Sequence, residues 1–134
     1  MAGFAATVDA WTRETEDRIE RVFKTAAQYV IEDVAMRTPV DTGTLRASWT
    51  VTLDAPLPLR DDIRPNSIPQ DYKLAIAGAG IGTTIYASFV AGYAIHVEYG
   101  TSRMAPRAMV RGAAQMWQAH VDNAVTAAKA TAGQ

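Results

Sequence analysis

Between residues 4 and 37, apolar side chains recur at steps of three and four. Phe4, Val8, Trp11, Ile19, Val22, Ala26, Val30 and Val34 form one stripe, and Thr15 fills its single gap. That spacing predicts one long amphipathic helix. The other side carries Asp9/Arg13, Glu14/Arg18, Asp17/Arg21, Glu20/Lys24 and Asp33/Arg37. In each pair the acid precedes the base by four residues, the better orientation for supporting a helix. No proline or glycine interrupts the run. At 1.5 Å per residue the helix reaches about 50 Å, beyond the roughly 30–35 Å expected across a compact domain of this size. Part of it is therefore expected to lie against something besides its own domain or to fray, and a partner subunit is the economical answer.

Pro39 lacks the donor needed to continue the ladder and disfavours helical geometry at Thr38, so the helix stops there. Asp41 suits an Asx-turn, and Gly43 can take positive φ cheaply. Leu45, Ala47, Trp49, Val51 and Leu53 then alternate with Arg46, Ser48, Thr50 and Thr52, which predicts a half-buried strand. Pro39, Asp41, Gly43, Leu45 and Trp49 thus read as a structural corner, with Leu45 and Trp49 seating the strand beneath the helix.

Residues 54–71 hold four prolines and neither period. They read as a long mobile loop, and Leu57, Leu59, Ile63 and Ile68 are its candidate partner-binding residues. Lys73–Ala79 and Thr83–Val90 read as two further strands joined through Gly78, Gly80 and Gly82. Residues 93–99 fit a short helix or a strand equally. From Pro106, well placed at a first helical position, a second helix is predicted. Its stripe is Met109, Ala113, Met116/Trp117, His120/Val121, Ala124 and Ala128, and it frays over residues 129–134. The predicted architecture is α+β: a long N-terminal helix and a C-terminal helix packed on a small antiparallel sheet, with a long proline-rich loop.

Length and composition narrow this picture. At 134 residues with no dividing linker, residues 1–134 are expected to form a single domain. A net charge of −1 gives no global electrostatic case for nucleic acid or anionic membrane. The absence of cysteine removes disulfides, thiol nucleophiles and thiolate metal ligands. The first residues lack the basic start and apolar run of a secretory signal, and no run approaches the length of a membrane span. The expectation is a soluble intracellular product with no membrane contact.

Candidate chemistry is sparse. GAGIG at 78–82 lacks the third glycine of a dinucleotide loop and is flanked by predicted strands, so it reads as a hairpin or close-packing element. His96 and Glu98 would share one face of a strand, but with only His120 left among histidines a metal site falls short of ligands. His120, on the apolar stripe, reads as a rim or hydrogen-bonded core residue. No positioned base accompanies Thr44 or Ser48. An enzyme is not expected, nor a cofactor, metal or small-molecule substrate. From residue 100 onward, Arg103, Arg107, Arg111 and Lys129 face one acid, Asp122. Three readings remain open for the arginines: an internally paired patch, a contact to acids of a neighbour's N-terminal helix, or phosphate contact.

Three segments, in order, carry a family resemblance: TPVDTGTLRASW at 38–49, YAIHVEYGTSRM at 93–104 and APRAMVRGA at 105–113. Behind a long amphipathic helix they resemble the neck or tail-completion proteins of long-tailed bacteriophages, the small head–tail joining, minor tail proteins. In the third segment that family tends to show Arg-Pro-Phe, where this chain has Arg107–Ala108–Met109, with Met109 keeping an apolar plug. The resemblance implies a structural virion protein that forms a homo-oligomeric ring, six-fold rather than twelve-fold, in the neck after assembly in the host cytoplasm. The head-closing and tail terminator proteins would be its neighbours, and DNA would pass through its lumen without sequence recognition. Tyr93, Glu98, Tyr99, Gly100, Arg103, Arg107, Met109 and Arg111 are the candidate subunit interface. The alternatives are a tail terminator or head-closing ring protein, or a DNA-binding module using Arg103, Arg107 and Arg111.

Overall fold

A computed structural model of the chain describes residues 2–39, 44–59 and 72–132. Helix α1 spans Ala2–Arg37, as the stripe predicts. It ends at Thr38, whose amide reaches Val34 O at 3.1 Å and whose buried Oγ1 donates to the same carbonyl at 2.7 Å. A side chain thereby takes up a carbonyl at the helix end, immediately before Pro39. Asp41 and Gly43, the predicted turn residues, lie outside the described residues, as do Ile63 and Ile68.

The predicted strand over Leu45–Leu53 is shorter than its alternation suggests. Thr44–Ala47 form a single turn of helix, α2, and strand β1 covers only Trp49–Thr52. The ambiguity sits in the spacing of Leu45 and Trp49. Four residues make two strand steps or about one helical turn, so both residues reach the core either way. Strand β2, Tyr86–Phe89, pairs antiparallel with β1 in the register Trp49↔Phe89 to Thr52↔Tyr86. Among the described residues these two strands make up the sheet.

The strand predicted over Lys73–Ala79 is instead helix α3, Tyr72–Ala77. Its inward residues are Tyr72, Ala75, Ile76 and, just beyond, Ala79, while Leu74 is exposed. Those positions follow helical spacing, and two of them are alanines, too small to announce a stripe. GAGIG is consequently a helix-to-strand turn and not a hairpin: Gly82 takes φ 89°, and the Gly80 amide donates to Thr83 Oγ1 at 3.1 Å.

Residues 93–99 resolve as helix α4, Ala94–Tyr99. The C-terminal helix starts at Met109, not near Pro106, and bends at Met116 into α5, Met109–Gln115, and α6, Trp117–Ala132. Residues 129–132 continue α6. Together these elements confirm the α+β architecture of a long N-terminal helix, an antiparallel pair of strands and C-terminal helices.

Ile31, Val34, Leu45, Trp49, Val51, Ile76, Ala91, Ala94, Met109 and Ala113 form the core. Trp49 ties strand to helix. Its ring lies 4.7 Å from that of Phe89, and its Nε1 donates to Ile31 O at 3.0 Å, so the indole is buried without leaving its polar edge unpaired. The elements of the body cover only the C-terminal part of α1. There Ala26, Ala27, Ile31 and Val34 are buried, whereas Phe4 is 75 % exposed, Trp11 65 % and Ile19 55 %.

Candidate functional site

The junction of α4 with α5 gathers most of the predicted interface residues. Gly100 ends α4 with φ 81°, and its amide donates to His96 O at 2.8 Å. A β-carbon there would stand 2.7 Å from Pro106 N and 2.8 Å from Met104 O, both backbone atoms, so only glycine fits. The following turn is closed by a bridge between Thr101 and Met104. The chain then returns along α4, with the Arg107 amide on Val97 O at 2.9 Å and the Ala108 amide on Glu98 O at 3.1 Å.

Glu98 explains why α5 begins where it does. Its carboxylate accepts from the amides of Val110 and Arg111, each at 2.9 Å, and from Arg111 Nε at 3.1 Å. Arg111 Nη2 donates to Glu98 O at 2.7 Å, and its guanidinium carbon sits 4.2 Å from the centre of the Tyr99 ring. The first amides of a helix lack internal acceptors, and a carboxylate 12 residues upstream supplies them. Burial pushes the Glu98 carboxyl up, but the Arg111 and Val110 amides and the Arg111 side chain outweigh it, leaving the group below the ordinary glutamate range.

Two of the candidate interface residues are buried. Glu98 is a buried clasp, and Met109, fully buried, is a core residue. The clasp also separates the pair weighed as metal ligands. On a helix, residues two apart point to opposite sides, so Glu98 faces inward while His96 is exposed. The arginines divide as well. Arg111 is committed to Glu98, while Arg103 and Arg107 are exposed and have no ion-pair partner among the described residues.

Tyr93, Tyr99, Arg103 and Arg107 do reach the surface, and Gly100 shapes it. They are joined by apolar residues that sequence reasoning missed: Ile95, Met104 and Val110. Ile95 stands one turn before Tyr99, a spacing that would have exposed the face had residues 93–99 been known to be helical. Leu57 and Leu59 are exposed at the start of the proline-rich segment.

His120 fulfils its expected role. Its Nε2 lies 2.9 Å from Asp33 Oδ2, bridging α6 to α1, and Arg37 Nε donates to Asp33 Oδ1 at 2.9 Å. Burial raises the Asp33 carboxyl, but the hydrogen bonds from His120 and Arg37 and their charges bring it below the ordinary range. Nothing in the sequence signals a pair 87 residues apart. Among the described residues, no group of three His, Asp or Glu side chains could hold a metal ion, and no helix is long and apolar enough to cross a membrane.

The described surface combines an exposed apolar stripe on the outer half of α1 with an aromatic and basic face at the α4–α5 junction. The matching family model is HK97-gp10-like, "Bacteriophage HK97-gp10, putative tail-component", and it covers residues 2–100. That span takes in α1 through α4 and stops short of the segment at 105–113. No curated protein and no solved structure matches the chain. The protein belongs to the HK97-gp10-like family of bacteriophage tail components, and is thus a structural, virion-associated protein of a tailed phage.

Proposed function

We propose that the protein is a neck component, forming a ring that joins the DNA-filled head to the tail and leaves a lumen for DNA. The observation that carries this reading is the outer half of α1. It holds Phe4, Trp11 and Ile19 exposed, uncovered by the described elements of the body, a surface that calls for cover by another subunit. Family membership supplies the setting. The head-closing and tail terminator proteins are the neighbours, and the work is mechanical, with no chemical step. Exposed Leu57 and Leu59 would add burial against a neighbour.

Native mass spectrometry of the purified chain, alone and mixed with the head-closing and tail terminator proteins, tests the proposal. Closed oligomers that appear with a neighbour are the expected result. A monomer indifferent to both, at concentrations where the neighbours themselves assemble, would overturn it.

A further inference from the structure

The ring reading leaves open what covers the outer half of α1, and the chain itself carries a surface of matching character. On that half, Phe4, Val8, Trp11 and Ile19 make the apolar stripe. Helical geometry places Asp9, Glu16 and Glu20 in one row, at i, i+7 and i+11, roughly 100–140° round the helix from the centre of that stripe, with Glu16 nearest to it. Glu20 is paired with Lys24 at 2.9 Å, but Glu16 has no ion-pair partner among the described residues, and Asp9 meets Arg13 only at 3.6 Å with both side chains mostly in water. On the body, the outer face of α4 shows Ile95 and Tyr99, and the turn beside it shows Met104 with Arg103 and Arg107, exposed and without an ion-pair partner among the described residues. One surface is apolar with an acidic edge, and the other is apolar with a basic edge.

We infer that the outer half of α1 in one copy docks on the α4 face of the next, its apolar stripe against Ile95, Tyr99 and Met104 and its acidic edge against Arg103 and Arg107. This rests on the ring reading and supplies its subunit contact. Because the two surfaces differ, the contact is heterologous, and repetition closes into a ring or runs on as a filament. The alternative occupant, a second α1 packed on the first, would leave Arg103 and Arg107 without a role. Complementary charge at the edges also fixes direction, since the reversed pairing sets like charges together.

The test is charge reversal and exchange, read by native mass spectrometry under whichever condition, alone or with the neck neighbours, yields wild-type oligomers. Arg103→Glu/Arg107→Glu and Asp9→Lys/Glu16→Lys should each weaken oligomer formation at least tenfold while keeping the wild-type melting curve. Mixing the two variants, or combining all four changes in one chain, should restore assembly to within about threefold, because every contact again pairs opposite charges. Because the native chain has no cysteine, a second readout is available. Thr12→Cys and Ser102→Cys chains, mixed and treated with a bismaleimide, should link 12 to 102. Links from 12 to 12, or wild-type assembly of the arginine variant, would overturn this contact while leaving the ring intact. Absence of oligomers under every condition would remove the ring reading and this contact with it.

Discussion

The two halves of α1 are built to the same plan and meet opposite fates. Both carry an apolar stripe at three- and four-residue steps, and both brace it with acid–base pairs, at Asp9/Arg13, Glu14/Arg18, Glu20/Lys24 and Asp33/Arg37. In the inner half, Ile31 and Val34 sit in the core, and Asp33 is tied to α6 through His120. In the outer half the same kind of residue stands in water. Burying an Ile or Val side chain contributes about 1.5–3 kcal/mol, so the inner half stabilises the fold and the outer half holds a comparable gain in reserve. The outer half can still be helical alone. Nucleation is the costly step, and the packed inner half provides it, so the rest has only to propagate. Periodicity thus records that a face needs cover, without recording what supplies it.

Three substitutions break or sharpen this contrast. The largest effect is expected where strand β1 is tied to the inner half. Trp49→Ala removes a buried indole and its bond to Ile31 O, and should cost about 3–5 kcal/mol in a denaturant melt, enough to threaten the fold. A loss under about 1 kcal/mol would show that the body does not depend on this packing.

An intermediate effect is expected at the α4–α5 clasp, which supports the face assigned to the neighbour. Glu98→Gln weakens the acceptor for the Val110 and Arg111 amides and leaves Arg111 without its counter-charge, for a cost of about 1–3 kcal/mol near neutral pH. The sign with pH follows from the lowered folded pKa. The clasp's contribution is complete above the ordinary glutamate value of about 4.3 and is lost as pH falls through the lower folded value. Asp33 is shifted the same way, so acid should weaken the α1–α6 bridge as well. Melts from neutral pH into the acid range should show wild type converging on Glu98→Gln, and a gap that stays constant would contradict the clasp.

The smallest effect on stability is expected in the outer half. Trp11→Gln keeps helix propensity and should change monomer stability by less than about 0.5 kcal/mol. Its effect on assembly should be large, since it removes the widest side chain of the stripe. A substantial loss of monomer stability would mean that this half already packs on its own body.

The α4–α5 surface was only half legible. Tyr93, Tyr99, Gly100, Arg103 and Arg107, the last two also marked by the basic tally, do shape or reach the surface, whereas Glu98 and Met109 belong to the interior. A glutamate between apolar residues looks like a surface group until the helix start that it caps is located 12 residues away. The basic tally after residue 100 misled for a similar reason. It counted Arg111 as available charge, although Glu98 had already claimed it.

Local chemistry determined a good deal. The stripe settled α1, Pro39 its end, alternation the presence of a strand whose extent the fold trims to Trp49–Thr52, and the Phe4-to-Val34 span a helix longer than its domain. Each of these depends on residues a few positions apart, where backbone geometry imposes its own period. Only the tertiary structure decided that Lys73–Ala79 is mainly helical, that Glu98 begins α5, that Asp33 meets His120, and that the body's cover runs out before the stripe does. Those outcomes turn on which surfaces meet across the fold, and a short-range period specifies a face without specifying its partner.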